Sequence, residues 1–66
     1  MAVARVTKIT AASPSGFQEA VQEGLSRAAS TLRGITGLEI ISQKAKVENG
    51  SITEYRVTLE VTFILD

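Results

Sequence analysis

The sequence predicts an α+β domain in the order β-α-β-β, with one amphipathic helix laid across a small antiparallel sheet. Two observations carry this. From Ile40 to Leu65 the residues alternate in character around the dipeptide Asn49-Gly50. Between Phe17 and about Arg33 the apolar residues recur at steps of three and four instead. A period of two belongs to a strand, and a period near 3.6 to a helix.

The hairpin is the more specific signal. On its second arm Thr53, Tyr55, Val57, Leu59, Val61, Phe63 and Leu65 point one way. Ile52, Glu54, Arg56, Thr58, Glu60, Thr62 and Ile64 point the other. Asn-Gly suits a type I′ turn, whose two central residues both take positive φ. A two-residue turn there sets Glu48 opposite Ser51, Gln43 opposite Arg56, Ile41 opposite Thr58 and Glu39 opposite Glu60. The helix is expected on the Val57, Leu59, Val61, Phe63 face. The other face then gathers Gly37, Glu39, Ile41 and Gln43 with Arg56, Thr58, Glu60 and Thr62. It is neither fully polar nor fully apolar, and is expected to meet another subunit, a ligand or both.

Ala2 to Thr10 reads as the first strand, with Val3, Val6 and Ile9 supplying β-branched bulk. Ala11 to Gly16 reads as a break. Two helix starts compete there. Ser15 with Gln18 fits a capping box, and Ser13 with Pro14 at the first helical position fits as well. In the helix, Phe17, Val21, Leu25, Ala28 and Leu32 form a stripe read as core. Glu19 and Glu23 come early, and Arg27 and Arg33 late, which complements the helix dipole. Glu23 and Arg27 form an i, i+4 pair. Gly34 suits the C-terminal cap. Ile35 to Glu48 and Ser51 to Leu65 complete the strands.

The chain of 66 residues is read as one domain. A domain this short buries only about 60% of the surface its unfolded chain exposes. Disulfides, metals or oligomerisation usually supply the remaining stability. With no cysteine and no histidine, disulfides and the thiolate or imidazole metal sites are excluded. Oligomerisation is the route left. Seven basic and seven acidic residues balance, which argues against nucleic acid, since phosphate backbones call for a basic excess. No apolar run reaches the ~18 residues of a membrane helix. The first ten residues carry Arg5 and Lys8 without a long apolar stretch, which argues against a signal peptide. The expected location is the cytoplasm.

No catalytic constellation is present. Without His or Cys the common nucleophile-base pairs are missing, and the glycines do not form a phosphate loop. Glu39 and Glu60, facing each other, would repel unless a cation, a neighbouring subunit or protonation relieves them. Carboxylate oxygens of Glu39, Glu54 or Glu60 also suit a hard cation such as calcium, though nothing resembles an EF-hand loop. Lys44, Lys46 and Arg56 read either as a solvated hairpin end or as contacts for a small anionic ligand.

Ser-Pro-Ser-Gly-Phe before the helix and Arg-Ala-Ala-Ser-Thr-Leu-Arg at its end are the first two marks of a known family. The third is the closing Glu-Tyr-Arg-Val-Thr-Leu-Glu-Val-Thr-Phe-Ile-Leu-Asp. Together they make the chain resemble the dodecins over nearly its whole length. The resemblance implies one domain over residues 1–66, a three-stranded antiparallel sheet wrapped around one helix, and a hollow homododecamer. Ile41, Ile52 and Ile64 would then be intersubunit contacts. It also implies flavin storage or quenching at subunit interfaces rather than catalysis, with coenzyme A and calcium as ligands of some members. The family's flavin site falls at Gly37, Gln43, Lys46 and Arg56, none of which matches its motif. Gly37 stands where flavin binders have a stacking tryptophan, Arg56 where they have a ring-bonding glutamine, and Ser42 where some have an acidic residue. The expected flavin affinity is reduced or lost. Arg56 is left either to take a phosphate or carboxylate or to pair with Glu39 or Glu60 of a neighbour.

Overall fold

The computed structural model describes residues 3–65. The chain runs β1 (Val3–Ser13), α1 (Phe17–Thr31), β2 (Ile35–Glu48) and β3 (Ser51–Leu65). The strands form one antiparallel sheet in the order β1-β3-β2. This is the α+β, β-α-β-β architecture the sequence predicts. The last strand is the central one. Its alternating bulk explains why: Val57, Leu59 and Val61 are each 1% exposed or less and form the floor on which α1 lies. Burying one such side chain stabilises the fold by about 1.5–3 kcal/mol.

The helix meets this floor through small residues. Ala20, Gly24 and Ala28 are its buried positions, and Phe17 and Val21 pack around the core only partly buried. The predicted stripe therefore holds at Ala28, while its larger members flank the contact line. Close approach is the reason. A Cβ built on Gly24 would stand 3.1 Å from the Ala11 Cβ and 3.2 Å from the Leu59 Cδ1.

Neither predicted helix start forms. The helix begins after Gly16, whose carbonyl accepts from the Ala20 amide at 3.1 Å, and no side chain caps it. Ser13 Oγ instead accepts from the Ser15 amide at 3.0 Å, holding the turn between β1 and α1. The helix ends at Thr31, with Leu32 extended. Arg33 thus lies beyond the last turn and has no part in the dipole. Ser30 and Thr31 donate their hydroxyls back to the Arg27 and Ala28 carbonyls, a local competition that weakens a helix end. Gly34, at φ +74°, turns the chain into β2 rather than capping the helix, and its carbonyl accepts from the Ile64 amide at 3.0 Å. The Glu23–Arg27 ion pair forms at 3.6 Å.

The strand read as ending at Thr10 continues to Ser13, because β3 offers Val57, Arg56 and Tyr55 as partners for Ala11, Ala12 and Ser13. The Ala2 start falls outside the described residues. Asn49 and Gly50 adopt the expected positive φ, 52° and 78°.

Three register shifts alter the pairing of β2 with β3, two of them along the hairpin and a third between Ile35 and Gly37, which leaves Thr36 unmatched. Past Val47–Ile52, Lys46 pairs with Glu54, leaving Thr53 unmatched, and past Ser42–Thr58, Ile40 pairs with Leu59, leaving Ile41 unmatched. The second shift cancels the first. Glu48–Ser51 and Glu39–Glu60 therefore pair as predicted, whereas Gln43 faces Val57 rather than Arg56, and Thr58 faces Ser42 rather than Ile41. An extra residue on one strand is the ordinary geometry of a β-bulge.

Fifteen helical residues span about 22 Å, whereas the 15 residues of β3 span about 50 Å. The edge-to-face stack of Phe17 on Tyr55, with ring centroids 5.0 Å apart, closes the core at the start of the helix. Beyond it the β2–β3 hairpin projects as an arm, which gives the molecule its 52 Å length.

Candidate functional site

The face of the sheet turned away from α1 is organised in cross-strand rows. Lys8, Glu60 and Glu39 form one, Thr10, Thr58 and Ser42 the next, and Ala12, Arg56 and Lys44 the third. Lys46 opposite Glu54 continues the face onto the arm. Each row follows from antiparallel pairing, which places directly opposed residues on the same side. The predicted confrontation of Glu39 with Glu60 is therefore present, and Lys8 on the far side of Glu60 brings a cation into the row. In the hydroxyl row, Thr10 Oγ1 and Thr58 Oγ1 lie 3.3 Å apart.

The third row brings two cations face to face. Opposed like charges destabilise a strand pair. Arg56 Nε donates to Glu54 Oε1 at 2.5 Å, which relieves part of the repulsion, and the neighbouring Lys46 stands 3.9 Å from Glu48. Lys44, Ala45, Lys46 and Arg56 line a shallow depression of about 330 Å³.

The four residues assigned to the ligand site from sequence are only partly brought together. Lys46 and Arg56 neighbour each other. Gln43 pairs with Val57, which turns it to the helix side of the sheet, and Lys44 takes the place expected for it. Sequence reading missed this because the Thr53 bulge leaves no mark in the alternation. Gly37 shares the face with Arg56 but pairs with Thr62, six residues along β3 from Arg56, or about 20 Å at strand rise. It opens beside a mostly apolar groove of about 400 Å³ lined by Leu25, Ala29, Ile35 and Leu38 among others. A Cβ added at Gly37 meets nothing within 4 Å.

Glu54 and Glu60 are likewise six residues apart. Among the described residues no three acidic side chains gather as metal ligands. No described helix is long and apolar enough to cross a membrane. Apolar side chains remain exposed on the edges and the arm: Val6, Ile40, Ile41, Val47 and Ile52 are each more than 40% exposed.

A helix on one face of a three-stranded sheet, a mixed second face and a projecting hairpin define a small β-α-β-β domain with far more sheet than its helix can cover. The dodecin family model matches residues 3–66, and the chain belongs to the dodecin family. It is 31% identical to the dodecin of Thermus thermophilus over 64 residues, covering 97% of this chain and 93% of that one. The structure of dodecin from Streptomyces coelicolor superposes with a TM-score of 0.94 at 31% identity, over 98% of this chain and 93% of that one. A calcium dodecin from Mycobacterium tuberculosis, described as calcium-chelating, superposes with a TM-score of 0.83 at 32% identity, over 97% and 91%.

Proposed function

We propose that this chain is a ligand-binding and storage protein without catalytic activity. It assembles in the cytoplasm as a hollow homododecamer of single-domain subunits, and its flavin affinity is reduced or lost. The observation that carries the reading is the open space at Gly37. Where the resemblance implies a stacking ring, nothing lies within 4 Å of a would-be Cβ, and the chain holds no tryptophan. A lost aromatic stack removes about 1–3 kcal/mol, by analogy with stacked bases, or roughly tenfold in affinity for each 1.4 kcal/mol. The exposed Ile41, Ile52 and Val47 and the uncovered arm favour assembly, because a two-stranded ribbon alone is marginally stable in water. Gly37 and Arg56 of one chain are too far apart to share one small ligand, so a site using both takes them from different subunits.

The test is a titration of riboflavin into the purified protein, followed by flavin fluorescence, with light scattering on the eluted assembly. No quenching at micromolar riboflavin by an intact dodecamer is the expected result. Strong quenching would establish the other reading of the same site, a flavin store of altered geometry that bonds the ring through Arg56. A second reading, a calcium-binding cage, draws on the opposed Glu39 and Glu60 and on the calcium-chelating relative. It requires a melting temperature that rises with millimolar calcium.

A further inference from the structure

We propose that Asn49 is a site of spontaneous covalent modification, converting with age to isoaspartate and aspartate, and that the isoaspartyl form unpins the turn and loosens the arm. The modification stands on the turn itself. Its effect on the assembly rests on the assembly reading above.

The reacting groups are already neighbours in the chain. The Gly50 main-chain nitrogen attacks the side-chain carbonyl carbon of Asn49, a five-membered succinimide closes, and the side-chain nitrogen leaves as ammonia. Water then adds to one of the two ring carbonyls. Opening at one side gives aspartate, and at the other isoaspartate, in which the main chain runs through the former side chain. No oxidant, reductant or enzyme is required. Asn49 is the chain's sole asparagine.

Three features of the turn favour the attack. Asn49 and Gly50 are both exposed. Among the described residues the Gly50 amide makes no hydrogen bond and neither does the Asn49 side chain, so nucleophile and electrophile are both free. Gly50 has no side chain to obstruct the approach, and even an added Cβ there would meet nothing within 4 Å. Closing the ring calls for rotation away from the paired turn. The arm allows it, because the turn lies beyond the reach of α1, at the end of a two-stranded ribbon that is marginally stable in water.

The two products differ in effect. Aspartate tolerates the left-handed conformation that Asn49 holds at φ 52°, so it keeps the turn. Isoaspartate adds a methylene to the main chain, and a two-residue turn no longer closes over it. The pairs next in line are Glu48–Ser51 and Val47–Ile52, the second of which carries the exposed apolar side chains of the arm. Either product adds a carboxylate beside Glu48, and the formal net charge moves from 0 to −1.

The test is to age the purified, assembled protein in neutral buffer beside a synthetic peptide of the turn. Ion exchange and peptide mass spectrometry follow Asn49, hydrogen exchange follows the arm, and light scattering follows the assembly. Regions that fray open at almost no free-energy cost, so Asn49 in the protein is expected to convert within about tenfold of the peptide rate. Aged isoaspartyl chains should show arm amides exchanging at least about tenfold faster and should be enriched among dissociated subunits. Asn49→Gly keeps a turn that closes with two glycines and should not change with age. Fresh Asn49→Asp protein, with the charge but not the extra methylene, should keep its arm paired. An Asn49 that stays intact while the peptide converts overturns the proposal. So does an isoaspartyl arm that exchanges no faster than the fresh one. Failure of the assembly reading shows separately, as fresh protein that is not assembled, and hydrogen exchange on the single chain then decides.

Discussion

Gly37 and Arg56 lie on the same face of the sheet yet about 20 Å apart, because Gly37 pairs with Thr62 and six residues of β3 separate that partner from Arg56. The two positions where the resemblance implies lost flavin contacts are therefore well separated within a subunit, and the effects of changing them are separable by mutation.

Gly37→Trp combined with Arg56→Gln is expected to raise flavin affinity by about tenfold or more, with stacking supplying most of the gain. A Cβ added at Gly37 meets nothing within 4 Å. Because one chain does not bring the two positions together, co-assembling the single variants should rebuild a fraction of the sites. Fluorescence titration of each preparation checks both points, and an intact assembly with no gain from the double variant would show that the site has closed.

Leu59→Ala should cost about 2–5 kcal/mol in subunit stability, since Leu59 is fully buried in the centre of the core. Ile52→Asp should leave the subunit fold near its original stability, because Ile52 is 49% exposed on the arm, while breaking the assembly. Denaturant unfolding and light scattering on both variants distinguish the two. An Ile52→Asp protein that remains fully assembled would remove the arm from the interface.

Gly24 poses two opposed effects. Alanine there gains up to about 1 kcal/mol of helix propensity, but its Cβ meets the Ala11 Cβ at 3.1 Å and the Leu59 Cδ1 at 3.2 Å. Overpacking costs about 1–3 kcal/mol. Gly24→Ala should thus be neutral to mildly destabilising and Gly24→Val clearly destabilising, as read by melting temperature. A stabilised Gly24→Val variant would mean that α1 lifts off β1 without cost.

Gly34→Ala should destabilise by about 1–2 kcal/mol. The position holds φ +74°, which penalises an L side chain, and the new Cβ would stand 3.3 Å from the Ile64 carbonyl oxygen. Gly37→Ala, free of both constraints, is the control and should change stability only slightly.

The amino-acid sequence by itself determined the turn, the strand types and the class of fold. Asn49-Gly50 admits one kind of hairpin turn, and the alternation through Val57, Leu59 and Val61 allows only one face of β3 to enter the core. Both are local properties: a φ preference and a period. Of the four positions expected at a ligand site, the closeness of Lys46 and Arg56 was legible for the same reason, since both lie near the turn. Tertiary structure decided the rest. Ala11 to Ser13 extend as strand because β3 is there to pair with them, not because their propensity requires it. The helix approaches through Ala20, Gly24 and Ala28 because packing distance outweighs the size of the apolar residues beside them. The bulges at Thr53 and Ile41 exchange Gln43 for Lys44 opposite Arg56, and the rigid rise of β3 holds Gly37 and Arg56 apart. Pairing and packing join residues far apart in the chain, and no local period carries that information.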